Sequence, residues 1–178
     1  MGTEVVIVKA FCLKYIIDKP SKFIVEESYE PFMKDVVKLK LGDVFVDVGA
    51  HVGKCSLYAA RQVCNSGLVI AVEPDPINVK NLKLNVRING FKNVKVIEKA
   101  CSDYSGAGFL RKYDFSAKTE LVKESTEIKV EVDMLDNIIE HLKVRKVDMI
   151  KIDVNGSEYY QHKTLSKEKR YQNVLFLP

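Results

Sequence analysis

The 178 residues of the chain, 47% hydrophobic and 29% charged, are enough for one domain with a sizeable core. The formal net charge of +4 permits acidic partners without requiring them. No apolar run approaches the roughly 20 residues of a membrane-spanning helix, and the opening Met1-Gly2-Thr3-Glu4 lacks the basic region of a signal peptide. We therefore expect a cytoplasmic protein without membrane association, in which residues 1–178 form a single domain.

The four cysteines predict neither a metal site nor a redox motif. Cys12, Cys55, Cys64 and Cys101 include no Cys-x-x-Cys pair, and no histidine cluster accompanies them. We expect buried free thiols, as in proteins of a reducing cytoplasm, and no metal.

Short elements are predicted ahead of the core, within residues 1–40. Residues 5–8 and 12–17 have the composition of two short strands that pair as a hairpin. Residues 29–40 predict a helix, because Phe32, Val36 and Val37 approximate one face. Leu41-Gly42-Asp43 ends it, and the core is expected to occupy residues 41–178.

Strands and helices are predicted to alternate along the core. The strands are expected at residues 44–48, 68–73, 94–97, 147–152 and 174–177, and helices at 53–64, 76–89, 133–142 and 157–170. Between them, strands at 109–112 and 127–131 would flank a polar loop at 114–125. This alternation predicts an α/β fold with a mostly parallel, doubly wound, Rossmann-like sheet, which binds ligands at the carboxyl ends of its strands.

Carboxylates end three of the predicted strands: Asp47, Glu73 and Asp153. Such a cluster opposes a pyrophosphate, and the first turn, Gly49-Ala-His51-Val-Gly53, departs from the Gly-x-Gly-x-x-Gly pattern of dinucleotide sites. A dinucleotide oxidoreductase is therefore disfavoured. The acids suit a cationic cofactor with a ribose and no phosphate, such as S-adenosyl-L-methionine (SAM).

Two further features of these strand ends support a cofactor site. Glu73 follows Gly53 by about 20 positions, the interval at which an acid after the second strand meets ribose hydroxyls. Gly49 and Gly53 allow the backbone to approach a ligand closely. The alternative is that Asp47 and Asp153 only cap turns and the glycines only reverse the chain.

Several stretches resemble the successive motifs of FkbM-type SAM-dependent methyltransferases, over roughly residues 23–177. The last motif, Ile150-Lys-Ile-Asp-Val-Asn-Gly-Ser-Glu158, is more specific than the first, which fits any class I methyltransferase. The other matching stretches are residues 44–57, 69–76, 100–106 and 132–136, preceded by Glu26-Glu-Ser-Tyr-Glu-Pro-Phe. The resemblance implies the class I methyltransferase fold and O-methylation of a small-molecule or glycan hydroxyl.

The resemblance also implies roles for individual residues. Glu73 would hold the ribose, with Pro74 and Asp75 beside the adenine. Asp153 would face the methionine end of SAM or the acceptor, and is the first candidate for a catalytic base, with Glu158 as a weaker one. The remaining implied cofactor-binding residues are Asp47, Gly49, His51 and Gly53 at the methionine part, and Cys101, Ser102 and Asp103 at the other edge of the adenine.

The chain departs from the family pattern in three places. His51 stands where the family usually has asparagine. Asn155 stands where it usually has glutamate, so a carboxylate beside the acceptor is missing. The chain also ends after the fifth core strand, so we expect it to lack the antiparallel hairpin, strands six and seven, of class I enzymes. The bare edge strand this would leave is an aggregation liability, consistent with truncation, a degenerate gene or a homodimer through that edge.

Two alternative functions stay open. The first is an RNA methyltransferase, against which we note that Asp153-Val-Asn-Gly differs from the Asn/Asp-Pro-Pro-Tyr/Phe of many N-methylating enzymes. No basic stripe with interleaved aromatics is evident either, so nucleic acid is not the expected partner. The second is a SAM-binding relic without catalysis, suggested by Asn155 and the short C-terminus.

Overall fold

An antiparallel hairpin begins the described part of the chain, which comprises residues 4–31, 33–112, 119–122, 128–154 and 173–176 of a computed structural model. Strands β1 (Val5–Ala10) and β2 (Leu13–Asp18) pair as predicted, and a 3₁₀-helix (Lys19–Val25) follows, capped by the Asp18 carboxylate. The turn residues Phe11 and Cys12 both have positive φ, 52° and 58°. Such turns match the twist of paired strands.

The helix predicted over residues 29–40 is wrong in its length. Only α1 (Met33–Val36) is helical in the described part of this stretch. Glu30 has φ 53°, a left-handed conformation that an α-helix cannot contain. After α1 the chain is held by a side chain instead, because the Gln62 amide donates to the Val37 carbonyl at 2.9 Å and accepts from the Leu39 N–H at 3.1 Å.

The core alternates strands and helices as the sequence predicts. After residue 40 the described elements are β3 (Val44–Val48), α2 (Lys54–Val63), β4 (Leu68–Val72), α3 (Pro76–Ile88), β5 (Val94–Ile97), β6 (Ala100–Cys101), β7 (Gly106–Lys112), β8 (Thr119–Val122), β9 (Ile128–Asp133), α4 (Leu135–His141), β10 (Met149–Ile152) and β11 (Val174–Phe176). Five parallel strands form the central sheet in the order β11-β10-β3-β4-β5. The strand order reverses between β3 and β10, and ligands of such sheets bind at that switch point.

Both faces of the central sheet are covered by other elements. Successive residues of a strand point to opposite sides, so each strand contributes to both clusters. Phe45 and Val69 belong to the core cluster that contains α2 and the hairpin. Val46 and Ile150 belong to the cluster that contains α4. Asp47 has the same parity as Phe45, so its side chain points toward α2.

A second sheet, in the order β6-β9-β7-β8, is formed by the strands that lie between β5 and β10 in the chain. The sequence predicted the strands that contribute β7 and β9, but not β6 or β8. The loop expected at residues 114–125 contains β8, which pairs with β7 from Phe109↔Val122 to Lys112↔Thr119. Four residues flanked by polar sequence carry too little periodicity to be recognised, so β8 is evident only from its partner strand.

Side-chain amides of α3 join the N-terminal hairpin to the core. Asn85 accepts from the Ile16 N–H at 2.6 Å and donates to the carbonyls of Ile16 and Val52 at 3.1 and 2.9 Å. One turn further on, Asn89 makes the same two-way contact with the backbone of Lys14, at 2.9 and 2.7 Å. The outer edge of β2 is thus paired to a helix rather than to another strand.

The C-terminal predictions are only partly within the described residues. β11 pairs with β10 in parallel at one edge of the described sheet. The helix predicted at 157–170 lies outside the described residues, and the missing hairpin, the homodimer and the single domain stay predictions. Among the described residues, no helix has the length and apolar character needed to cross a membrane. Cys55 and Cys101 are buried free thiols as expected, whereas Cys12 and Cys64 are exposed.

Candidate active site

The turn after β3 lies between the carboxyl ends of β4 and β10. The N–H groups of Gly49 and Ala50 both donate to the Val72 carbonyl at 3.0 Å, and the His51 N–H donates to Glu73 Oε2 at 2.8 Å. On the other side, a Cβ at Gly49 would stand 1.9 Å from the Asp153 carbonyl oxygen, and φ there is 76°. Only glycine fits this position, because both the conformation and the space exclude a side chain.

Gly53 starts α2 from a left-handed conformation. Its φ is 94°, and a Cβ would stand 2.5 Å from a methyl carbon of Leu82 and 2.7 Å from one of Leu57. The glycine therefore lets α3 pack closely against the start of α2. It fixes the turn by packing, whether or not it also contacts a ligand.

Glu73 is buried at the end of β4 and is surrounded by hydrogen-bond donors. Its Oε2 accepts from the His51 N–H, and its Oε1 accepts from the Asp75 N–H at 3.0 Å and the Asn78 amide at 3.4 Å. Burial raises the pKa of Glu73 to about 7, although these three hydrogen bonds act to lower it. A carboxylate oxygen can accept more than one hydrogen bond, so this group keeps capacity for a diol.

Asp75 serves as the N-cap of α3. Its Oδ1 accepts from the backbone N–H groups of Ile77 and Asn78 at 2.8 and 3.3 Å, and Pro76 occupies the first helical turn. The carboxylate, 1% exposed, is thus used by the helix, as the sequence allowed. Half-buried Pro74 connects it to Glu73.

Lys151 is the central cation of the site, and the sequence analysis missed it. Its Nζ lies 3.2 Å from Asp47 Oδ1 and 3.2 Å from Asp153 Oδ2, and donates to the Gly49 carbonyl at 3.3 Å. Burial acts to lower the pKa of Lys151, but the charges of Asp47 and Asp153 outweigh it and raise that pKa well above its ordinary value. A lysine in the buried strand Met149–Ile152 was the available signal, since such a charge needs a buried partner.

Asp47 is fully buried and contacts side chains rather than an open cavity. Its Oδ2 accepts from Ser56 Oγ at 2.6 Å, while Oδ1 faces Lys151. Asp47 and Lys151 are register partners in β3 and β10, so the ion pair follows directly from the strand pairing. Asp47 therefore acts on the site through Lys151 and Ser56.

The residues expected at the far edge of the adenine lie at the end of β6 and directly after it. Cys101 is buried in β6, and burial raises the pKa of its thiol to about 12, so the thiol stays protonated. The Ser102 N–H donates to the Asp133 carbonyl at 3.1 Å, and its hydroxyl donates to Asp103 at 3.3 Å. Asp103 is exposed, whereas Ser102 is buried.

Asp133 holds the loop that follows β6. Its carboxylate accepts from Ser105 Oγ at 2.7 Å, from the Asn137 amide at 3.0 Å and from Lys99 Nζ at 2.9 Å. Burial acts to raise the pKa of Asp133, but these three donors hold it well below its ordinary value. The sequence analysis gave this residue no role beyond its motif.

The described residues fit a cationic cofactor better than a phosphate. Asp47, Gly49, His51, Glu73 and Asp153 are brought together around one turn, as expected. Burial lowers the pKa of His51 to about 4, so the imidazole is neutral at pH 7 and adds no positive charge. Glu158 lies outside the described residues, and within them no group of three or more His, Cys, Asp or Glu is arranged to hold a metal.

The five-stranded parallel sheet, its acidic strand ends and the glycine turn at the switch point define a class I SAM-dependent methyltransferase domain. Comparison with known proteins then identifies the family. Residues 47–160 match the family described as the methyltransferase FkbM domain. The chain belongs to this family, whose cofactor is SAM.

Similar proteins include both a sequence relative and solved structures. An uncharacterized protein of Methanocaldococcus jannaschii is 33% identical over 98 residues, which are 55% of this chain and 35% of that protein. This match thus spans about a third of that relative's length.

The solved structures show the fold. A precorrin-6y C5,15-methyltransferase from Geobacter metallireducens has a TM-score of 0.56 at 13% identity, over 87% of this chain and 64% of that one. A Pyrococcus abyssi tRNA (uracil-54, C5)-methyltransferase, in complex with S-adenosyl-L-homocysteine, has a TM-score of 0.54 at 19% identity, over 96% of this chain and 35% of that one. At these identities the likeness concerns the fold alone.

Proposed function

We propose that the protein transfers a methyl group from SAM to a hydroxyl oxygen of a small-molecule or glycan acceptor. The observation that carries the proposal is the turn after β3, which is fixed between the buried Glu73 and the Lys151–Asp153 ion pair. An acid on each side of a glycine turn suits a ribose and a cationic sulfur. Membership of the FkbM family supports methyl transfer as the reaction.

In this proposal the cofactor lies along the carboxyl ends of β3, β4 and β10. Glu73 holds the ribose, and Gly49, His51 and Gly53 line the methionine part together with Asp153. Asp47 supports that part indirectly, through Lys151. The adenine is bordered by Pro74 and Asp75 on one edge and by Cys101, Ser102 and Asp103 on the other.

When bound, SAM supplies an activated methyl group on a sulfonium. The protein's contribution is to orient the acceptor in line with that group and to exclude water. Asp153 is the proposed base for the acceptor hydroxyl, because it follows β10 and remains partly exposed. Lys151, 3.2 Å from its Oδ2, holds the carboxylate in place beside the turn. Glu158 is the second candidate, outside the described residues.

RNA is the second candidate acceptor, favoured by one observation. A surface groove of about 430 Å³ on α3 is lined by Lys80, Lys83 and Arg87. Glu98 offsets part of this charge, since it pairs with Lys83 at 2.5 Å. If these cations contacted RNA phosphates, RNA binding would be strongly salt-dependent.

Calorimetry with SAM at pH 8.5, where Glu73 is ionised, tests the cofactor site. We expect Glu73→Gln to weaken SAM binding by about 10- to 100-fold, because hydrogen bonds to a charged group contribute about 1.5–3 kcal/mol. Glu98→Gln removes an exposed acid after β5 and is the matched control, expected to bind as the wild type does.

Methyl transfer from labelled SAM separates the acceptors. Label in a hydroxyl-bearing sugar or small molecule supports the proposal, whereas label in RNA alone would replace it with the second candidate. Absence of SAM binding at millimolar concentration would refute both. Tight binding without transfer to any acceptor would favour a non-catalytic SAM-binding protein.

A further inference from the structure

A buried lysine ties residues before the core to the turn after β3. Lys54 directly follows Gly53, and its side chain is 7% exposed. Its ammonium donates to the carbonyl of Tyr29, lies 5.0 Å from the centre of the Tyr29 ring and 3.9 Å from Glu30 Oε2. The Tyr29–Glu30 segment is therefore held beside the start of α2, next to the candidate site.

Phe11 strengthens this attachment. Its ring lies 5.8 Å from the Lys54 ammonium and packs edge-on against Tyr58 at 5.4 Å. Its N–H donates to Glu27 at 2.8 Å, and its carbonyl accepts from Arg61 at 2.8 Å. The hairpin turn therefore contacts both the segment that carries Glu30 and helix α2.

The backbone of Glu30 is in an unfavourable conformation. Its φ of 53° lies in the left-handed region, which side chains other than glycine, asparagine and aspartate rarely adopt. Such strain persists where the surroundings impose it, and it is concentrated at functional sites. The Glu30 carboxylate, 28% exposed, lies here 3.9 Å from the Lys54 ammonium at the start of α2.

The charges on this side of the turn do not balance. Lys151 is shared between Asp47 and Asp153, and Lys54 lies at the limit of ion-pair distance from Glu30, so two cations face three carboxylates. Burial raises the pKa of Glu30, Lys54 lowers it, and the charge of Asp153 raises it further. Among the residues that the structure describes, these groups thus leave one negative charge in excess beside Glu30, and a cation bound there would balance it.

We propose that Glu30 recognises the sulfonium charge of the methyl donor and thereby distinguishes SAM from its product, S-adenosylhomocysteine. The product has a neutral sulfur, so its binding would leave the Glu30 carboxylate without a counter-charge and favour release. The inference rests on the proposed function, in that SAM is the ligand. It assigns Glu30 to ligand recognition and leaves the proton of the acceptor to Asp153.

Calorimetry with both ligands tests the assignment without an acceptor. We expect Glu30→Gln to weaken SAM binding at least tenfold and to change S-adenosylhomocysteine binding less than twofold. Glu4→Gln is the matched control, because it removes one exposed carboxylate, paired with Lys19 at 3.0 Å, at the end of the hairpin away from the Phe11 turn. Both affinities of that variant should equal those of the wild type.

The possible results separate this inference from the proposed function. If Glu30→Gln loses equal affinity for both ligands, or loses none for either, the role of Glu30 is overturned. The proposed function would still stand, because the wild-type protein binds SAM. A wild-type protein that binds neither ligand would overturn the proposed function and this inference with it. If Glu30→Gln does not fold, Glu30→Asn removes the same charge with a residue suited to positive φ, and the same selective loss is expected.

Discussion

His51 and Glu73 are joined by one backbone hydrogen bond, and burial shifts the pKa values of their side chains in opposite directions. The His51 backbone N–H donates to Glu73, whose pKa burial raises to about 7, while burial lowers the pKa of the His51 imidazole to about 4. Glu73 binds its proton more tightly in the folded state, so its contribution to stability is full below about pH 4.5 and is lost by about pH 7. His51 binds a proton more tightly when unfolded, so its contribution increases from about pH 4 to 6.5.

These two contributions to the pH dependence of the free energy of unfolding oppose each other in the wild type. We therefore expect variants that remove one group to reveal the contribution of the other. Between pH 4.5 and 6.5, the free energy of unfolding of Glu73→Gln should rise with pH relative to the wild type. That of His51→Asn should fall over the same range, by up to about 3 kcal/mol by pH 7. Urea denaturation at several pH values measures both, and differences from the wild type cancel the other carboxylates. Parallel curves for all three proteins would contradict the assignment.

Lys151 determines the electrostatics of the site at the residue scale. It is 5% exposed and neutralises Asp47, which has no exposed surface. A buried carboxylate that loses its cation keeps the cost of desolvation without the compensating attraction. The pair is therefore expected to matter for folding before it matters for catalysis.

Removal of Lys151 should strongly destabilise the domain. We expect Lys151→Met to lower the free energy of unfolding by about 3–5 kcal/mol, and Asp47→Asn in the same protein to restore much of the loss. Lys83→Met, at an exposed pair with Glu98, is the control and should cost less than about 1 kcal/mol. Urea denaturation provides the measurement, and a cost below 1 kcal/mol for Lys151→Met would refute the account.

At the scale of elements, α3 acts as the partner of β2. Asn85 and Asn89, one turn apart, meet the backbone of alternate residues of β2, Ile16 and Lys14. A helix turn and a two-residue strand repeat have similar lengths, 5.4 Å and about 6.8 Å, so two amides can satisfy the strand edge. This connection orients the hairpin whose turn supports the Glu30 segment.

Asn85→Ala should weaken the attachment of β2 to α3. The change removes three hydrogen bonds to backbone groups, those of partly buried Ile16 and the buried carbonyl of Val52, so we expect a loss of about 2–4 kcal/mol in stability. Amide hydrogen exchange at Ile16 should accelerate in parallel. Asn89→Ala, at a more exposed contact, should cost less, and equal effects of the two variants would argue against the buried connection.

At the scale of the whole molecule, the site combines segments that are distant in sequence. Tyr29 and Glu30 precede the core, the turn at residues 49–53 follows its first strand, and Lys151 and Asp153 come about 100 positions after that turn. The sheet brings the last two groups together, since Lys151 and Asp47 are register partners. The N-terminal segment arrives through Lys54 instead, by contact with α2.

The sequence alone was sufficient for the alternating core and most of the candidate site. Buried parallel strands are continuous apolar runs, and their ends are marked by glycine and acid, so both the fold and Asp47, Glu73 and Asp153 could be predicted. The helix at 29–40 could not, because Gln62 and the left-handed Glu30 override its apolar spacing. The strand β8 lacked a local signal of its own.

What the sequence determined by itself is therefore the order of the elements and the residue types at their ends, because these depend on local patterns of burial and backbone freedom. The tertiary structure decided which charges meet. Lys151 pairs with Asp47 and Asp153 because of strand register, and Lys54 holds Tyr29 and Glu30 because the hairpin packs on α2. Ion-pair energies depend on distance and desolvation, and neither quantity exists until the segments are packed together.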